Sequence, residues 1–310
     1  MSFKILQWSD THNAQQTNAC NSVIDGAADI DCVIHCGDLV LDHYENGISP
    51  VNLQKTLCVI GNHDAFLAAG VDSNGYHWEL QPTQSQLRNT YIQPLVNAFN
   101  VYSPDGATWW KKLYQAKRVM VIGVNDTAIG DVAVKQLKFV EDTVAECESN
   151  GYRIVLVKHG PTPSMYPIEC NFTTANADYA IGAANRYENI YPETNSYLAP
   201  IRQSSAKVIC ILYGHMHFDT FSTITQNNGV KIPVIGIGSI LADSWNDVPR
   251  TANGTLNDIV MNQIEYVPEL DALRLYRLGA YGSALGCSRK MLTWSYRKGK
   301  IVACCSNHGA

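Results

Sequence analysis

Seven short apolar runs dense in β-branched residues recur along the chain: FKILQW (3–8), DCVIH (31–35), TLCVI (56–60), VMVIGV (119–124), RIVLVK (153–158), VICILY (208–213) and VIGIG (234–238). Runs this short, apolar without alternation, read as strands covered on both faces. Between them, residues 17–29 and 134–150 space their apolar residues helically. In the second, Val134, Leu137, Val140 and Val144 recur while Glu and Asp fall on the other side. Strand–helix alternation confines such a chain to an α/β layered fold. The end reads differently: residues 258–279 hold two strand-like runs around the turn-like PELD, the pattern of a hairpin.

No repeat, low-complexity segment or Gly/Ser linker interrupts the 310 residues, which are expected to form one domain, 1–310. Two stretches fit the alternation badly, at about 65–118 and 161–206. Both follow strand ends, so both are candidates for insertions covering a substrate. The aromatics of the first (Tyr76, Trp78, Tyr91, Tyr102, Trp109, Trp110 and Tyr114) equally suit the packing of a small subdomain. A net charge of −5 opposes a broad nucleic-acid footprint. No signal peptide is expected, since MSFKILQW opens at once on a strand-like run, and no stretch nears the ~18 apolar residues that cross a membrane. The ten cysteines include no C-x-x-C, and Cys32, Cys58 and Cys210 sit inside apolar runs. Buried, reduced thiols and a cytoplasmic protein are the expectation, though sequence does not say where a protein is mounted and leaves a virion-associated role open.

The residues just after these runs carry the chemistry. The first run leads into Asp10 and His12, the second into Asp38, and the third into Asn62, His63 and Asp64. The fifth leads into His159, and the sixth into His215 and His217. In open α/β sheets ligands bind at the carboxyl ends of strands. Asp10/His12 and His215/His217 are spaced i, i+2, and on extended backbone such pairs face one way. Gly37, Gly61 and Gly214 each precede a ligand-type residue, where a chain turns sharply or approaches closely. His, Asp and one Asn together suit borderline first-row divalent cations. They are more than one tetrahedral ion can take, and two ions sharing a carboxylate would use them. Singly, each residue has a plainer reading: a helix N-cap for Asp10 or Asp38, a turn residue for Asn62. His35 lies within a run and reads as core.

The ordered series D-x-H, G-D, G-N-H-D, H, G-H-x-H, spanning residues 10–217, resembles the calcineurin-like metallophosphoesterase superfamily. The segment VIGVNDTAIGDVAVKQLKFVE is similar to one common in its phosphodiesterase branches. The resemblance implies a four-layer αββα sandwich with two facing mixed β-sheets and a dinuclear metal site at strand C-terminal ends. It implies that Asp10, His12 and His217 hold one ion, that Asn62, His159 and His215 hold the second, and that Asp38 bridges them. The ions would be divalent: Mn, Fe, Zn or similar. His63 would be the catalytic histidine near the leaving group, with Asp64 its orienting partner. The implied reaction is hydrolysis of a small phosphate ester, a diester above a monoester, by in-line attack of a metal-bridging hydroxide.

Three departures narrow this. Where many members carry a second aspartate the chain has Leu41, with Asp42 one residue later, so its supporting role is in doubt. The arginine of the Ser/Thr protein phosphatases is absent from GDLVLDH, which disfavours that branch. Lys158-His159 stands where many phosphodiesterases have paired histidines. A nuclease would need a basic channel with aromatic platforms. A metal-binding interaction module without turnover is the rival of a different class, and such proteins usually lack part of the site.

Overall fold

In the computed structural model the chain forms two facing seven-stranded sheets. The structure describes residues 1–12, 17–40, 51–65, 71–72, 75–76, 82–162, 166–167, 194–217, 219–239, 259–279 and 290–306. Leu41, Asp42, His43, His77 and His308 lie outside them, as do parts of 65–118 and 161–206.

In chain order, β1 (Phe3–Trp8) leads to α1 (Thr17–Gly26), β2 (Cys32–His35), β3 (Leu57–Cys58) and the short helix α2 (Asn62–Ala65). A two-stranded ribbon comes next, β4 (Val71–Asp72) with β5 (Gly75–Tyr76). It is succeeded by α3 (Gln84–Leu87), a π turn over Arg88–Ile92, and α4 (Gln93–Phe99). Then β6 (Trp110–Tyr114), β7 (Val119–Gly123), α5 (Gly130–Asn150) and β8 (Arg153–Val157) lead through β9 (Tyr166–Pro167) to α6 (Thr194–Gln203). The chain closes with β10 (Val208–Tyr213), β11 (Thr220–Thr225), β12 (Lys231–Gly236), β13 (Val260–Val267), β14 (Ala272–Gly279), β15 (Lys290–Ser295) and β16 (Lys300–Ser306).

The first sheet runs β16-β15-β14-β13-β1-β2-β3 and the second β6-β7-β8-β10-β12-β11-β9. Each has a parallel heart, β1-β2-β3 in one and β7-β8-β10-β12 in the other, flanked by antiparallel strands. All seven apolar runs lie in these strands, because strands covered on both faces need apolar side chains in both directions. β7 shows it: Val119 and Val121 join the core containing Phe3, Ile5 and Trp8, while Met120 and Ile122 pack with Phe139, Val140 and Val144 of α5. Tyr197, Leu198 and Ile201 of α6 complete that outer layer, and Cys20 and Ile24 of α1 cover the first sheet.

One sequence expectation needs adjusting. The buried stripe of α5 is Ala133, Gln136, Phe139, Val140, Thr143, Val144 and Cys147, whereas Val134 is 65% exposed. The helix begins at Gly130, and of the pattern started at Val134 only Val140 and Val144 fall on the buried stripe. Part of 65–118 falls among the described residues. Leu87, Tyr91, Ile92 and Leu95 enter the main core, and β6 adds an edge strand to the second sheet. Trp109 and Trp110 are buried, and the Trp110 Nε1–H donates to the Cys58 carbonyl of the first sheet at 2.7 Å.

The sheets are also tied by Gln7, whose amide nitrogen donates to the Tyr213 carbonyl (3.2 Å) and the Ile235 carbonyl (3.1 Å). Its Oε1 accepts from Asn262 Nδ2 at 3.2 Å. This buried amide spans the layers next to the strand ends that carry Asp10 and His215. Cys32, Cys36, Cys58, Cys147 and Cys210 are buried and form no disulfide. No described helix is long and apolar enough to cross a membrane.

Candidate metal centre

The C-terminal ends of five parallel strands converge. From the first sheet come Asp10 and His12 after β1, Asp38 after β2, and Asn62, His63 and Asp64 after β3. From the second come His159 after β8, and His215 and His217 after β10. The structure thus brings together every site residue read from the sequence. Ligand atoms of Asp10, His12, Asp38 and His217 lie within 4.8 Å of one another, and so do those of Asp38, His159 and His215. Asn62 joins the second group: its Oδ1 is 2.9 Å from His159 Nε2 and 2.9 Å from His215 Nδ1.

The convergence has a different cause from the one the i, i+2 spacing suggests. β1 ends at Trp8 and β10 at Tyr213, so neither pair lies on a strand. Instead Asp10, His12, Asp38, His215 and His217 all have left-handed backbone, with φ of 53°, 44°, 57°, 66° and 57°. For non-glycine residues this is sparsely populated and costs about 1–3 kcal/mol each. Backbone bonds between neighbouring turns hold it: Asp10 N–H to Gly37 O at 3.0 Å, His12 N–H to Asp38 O at 3.1 Å, and Gly214 N–H to His159 O at 2.9 Å. The His215 N–H donates to the Asp10 carboxylate at 3.0 Å, and Ser239 Oγ donates to the Asp10 carbonyl at 2.7 Å. A Cβ on Gly214 would overlap Ser9 Oγ, so only glycine lets these loops touch.

The donor set fits divalent cations. Asp38 Oδ2 is buried without a directed hydrogen bond, although His159 Nε2 is 3.1 Å away. His12 Nε2 and His217 Nε2 face each other at 3.1 Å. Lone pairs turned on a common point in this way suit a positive ion. Burial depresses the His215 imidazole to about 3, with His159 nearby adding to the effect, so its ring is neutral and its lone pair available. Burial likewise lowers His12. Burial works against the charge on Asp10, yet the His217 ring beside it holds the carboxyl at about 2. For Asp38 the same opposition from burial is overcome by His159 and His63, which keep it well below the usual range. At His159 burial is overridden by the Asp38 carboxylate, and the imidazole is raised to about 9. His159 Nδ1 meets the Cys36 carbonyl at 2.7 Å, which turns Nε2 toward the site.

His63 and Asp64 part company. The His63 side chain is 25% exposed at the mouth, its Nε2 4.0 Å from Asp38 Oδ2, its ring edge-on to His12 at 4.8 Å. Asp64 is fully buried and accepts from four backbone N–H groups: Asp38 (2.9 Å), Leu39 (2.8 Å), Val40 (3.1 Å) and Gly61 (2.8 Å). Those bonds pin the Asp38 turn to the Gly61 turn. Burial and then the Asp38 charge push its carboxyl up to about 7, with the amides of Gly61 and Val40 pulling the other way. His35 is core, as its place within a run suggests: burial lowers it to about 3, and its Nδ1 accepts from the Gly37 N–H at 3.2 Å. Motif spacing does not pick out Asp126, which meets the N–H groups of His159 and Gly160.

Histidines, aspartates and an amide gathered between two facing sheets make a candidate metal centre. The calcineurin-like phosphoesterase profile matches residues 3–219, and the chain belongs to that family. It is a hydrolase acting on phosphoric esters. Among solved structures, the fold is similar to a dimetal phosphatase of Danio rerio, at 12% identity and a TM-score of 0.56, over 95% of this chain and 99% of that one. A NAD nucleotidase of Haemophilus influenzae is 11% identical with a TM-score of 0.43, over 87% of this chain and 48% of that one. A metallophosphoesterase of Sphaerobacter thermophilus is 12% identical with a TM-score of 0.31, over 91% and 88%. Among curated proteins, none matches the chain in sequence.

Proposed function

We propose that this chain is a dinuclear phosphodiesterase acting on a small phosphate ester. The observation that carries the reading is the shared carboxylate: Asp38 belongs to both groups of candidate ligands. Asp10, His12 and His217 would hold one ion and Asn62, His159 and His215 the other. Two divalent cations of the Mn, Fe or Zn kind, when bound, supply Lewis acidity and neutralise phosphate charge. The carboxylates that would face the ions, Asp10 and Asp38, are buried, with Asp64 buried beside them. His63, whose side chain is partly exposed, would meet the substrate and give a proton to the departing alkoxide. Its presence, the GHMH ending and the likeness of residues 119–140 to the phosphodiesterase segment support a diester over a monoester.

Two measurements test this. Metal-stripped protein reconstituted with Mn²⁺ is expected to bind two equivalents and to hydrolyse bis-p-nitrophenyl phosphate faster than p-nitrophenyl phosphate. A reversed ratio would move the assignment to a monoesterase, and two tightly held ions with no turnover of either ester would favour a binding module. His63→Ala is expected to keep both ions and lose about 10²–10⁴-fold in kcat on a diester with an alkyl leaving group. On a p-nitrophenyl ester, whose leaving group departs unprotonated, the loss should be far smaller. Equal losses on the two would take the proton-donor role away from His63.

A further inference from the structure

Beneath His159 lies a charged cluster to which the proposed chemistry gives no task. Asp126, Lys158 and Tyr197 are all buried. Asp126 Oδ2 accepts from the His159 N–H at 3.1 Å and the Gly160 N–H at 2.6 Å. Lys158 Nζ is 3.5 Å from the same oxygen and donates to the Pro161 carbonyl at 3.1 Å. The Tyr197 hydroxyl donates to Asp126 Oδ1. A buried ion pair is weak evidence for stability, because apolar residues of similar volume often do as well. The contribution of this one is geometric. The two N–H groups flank the His159 α-carbon, so one carboxylate oxygen fixes the peptide planes on both sides of the residue.

Asp126 is itself held firmly. The preceding Asn125 is gripped through its backbone by the buried Gln136 of α5: its N–H donates to Gln136 Oε1 at 2.8 Å, and its carbonyl accepts from Gln136 Nε2 at 3.0 Å. Asn125 Nδ2 donates to Thr108 Oγ1 at 2.9 Å, while its Oδ1 accepts from the Thr127 N–H at 3.0 Å. A rigid path thus runs from α5 through Asn125 and Asp126 to the backbone of His159, whose ring is separately fixed at Cys36 O.

We propose that Asp126 is a positioning residue for His159, setting by its grip on two backbone amides the direction in which His159 Nε2 meets Asn62 and Asp38. The proposal rests on reading His159 as a metal ligand. It gives the aspartate after β7 a task in cation retention rather than in substrate contact, and it predicts damage confined to one of two ions.

The test is Co²⁺ titration of the chelator-treated full chain, following the absorption of each bound equivalent alongside the melting temperature of the metal-free protein. Asp126→Asn is expected to weaken one equivalent by about 10–100-fold, the usual loss for an outer-shell partner, and to leave the other unchanged. Excess metal should restore its turnover. Because Asp126→Asn takes the Asp126 charge away from buried Lys158, the pair is also removed together as Asp126→Asn/Lys158→Met, with the same one-ion loss expected. Both equivalents held as in the unaltered chain would overturn the proposal. So would both weakened in step with the melting temperature, which would make Asp126 merely structural. His159→Ala distinguishes failure of the positioning role from failure of the ligand role beneath it. Loss of one equivalent there with none lost in the Asp126 variants rejects Asp126 alone, while retention of both rejects His159 as a ligand.

Discussion

Replacing Asp38 by asparagine is expected to abolish Mn²⁺-dependent turnover while leaving the metal-free fold intact. The two side chains have the same shape, and asparagine tolerates the left-handed backbone at φ 57° about as well as aspartate does. The change removes the only carboxylate that both ligand groups share. The loss should exceed the roughly 10–100-fold typical of an outer-shell partner, because a proposed direct ligand of both ions is removed. A melting experiment separates this from misfolding. Metal at about 100 times its Kd stabilises a one-site protein by about 2.7 kcal/mol. The unaltered chain should show a clear rise in melting temperature on adding Mn²⁺, and the variant little or none. A variant that keeps both the thermal shift and turnover would show that Asp38 does not bridge.

Gly61→Ala should be nearly as damaging, for want of room alone. An added Cβ would overlap Asp38 Oδ1 and the Asp38 backbone nitrogen, with Asp38 Cγ 2.8 Å away. These atoms cannot swing aside: the Asp38 N–H is bonded to Asp64, and Oδ1 accepts from the His63 N–H at 2.8 Å. Overpacking of this kind costs about 1–3 kcal/mol, and here the displaced group is the candidate bridge itself. Gly26→Ala is the natural control. Nothing lies within 4 Å of its would-be Cβ at the end of α1, so it should be neutral or stabilise by about 0.4–1 kcal/mol. Normal metal binding and turnover in Gly61→Ala would mean that the two turns move apart more easily than their bonds imply.

The strands that frame the site were legible because burial on both faces leaves a mark composition cannot hide, as in VICILY of β10. Elements at the periphery left less. β6 reads WKKLY, whose two lysines hide a strand; Lys111 bridges Tyr102 through its backbone and pairs with Glu146 through its side chain. The helical stretch from Gln84 to Phe99 is interrupted by a π turn, which breaks the 3.6-residue rhythm. Within the site the identities of the side chains were readable and the backbone that aims them was not. Nothing in D-T-H distinguishes an extended pair from two left-handed residues, since aspartate and histidine are among the few side chains that enter the left-handed region with any frequency. Asp64 shows a similar limit, because its partners are backbone amides that no residue type announces. Asp126 was within reach: it follows β7 just as Asp10 follows β1, and the rule that strand ends carry the chemistry applies to the NDT there as well.

The division of the site between two sheets has a consequence for how the protein is made. Asp10 and His215, both candidate ligands, meet across 205 residues of chain. At a synthesis rate of about 5–20 residues per second, roughly 10–40 seconds separate their emergence from the ribosome. Through that interval Asp10 has emerged without the His215 N–H from which its carboxylate accepts in the finished fold. Until β10 has docked and Gln7 has closed the layers, the candidate site is incomplete, so any choice of ion would belong to the finished molecule.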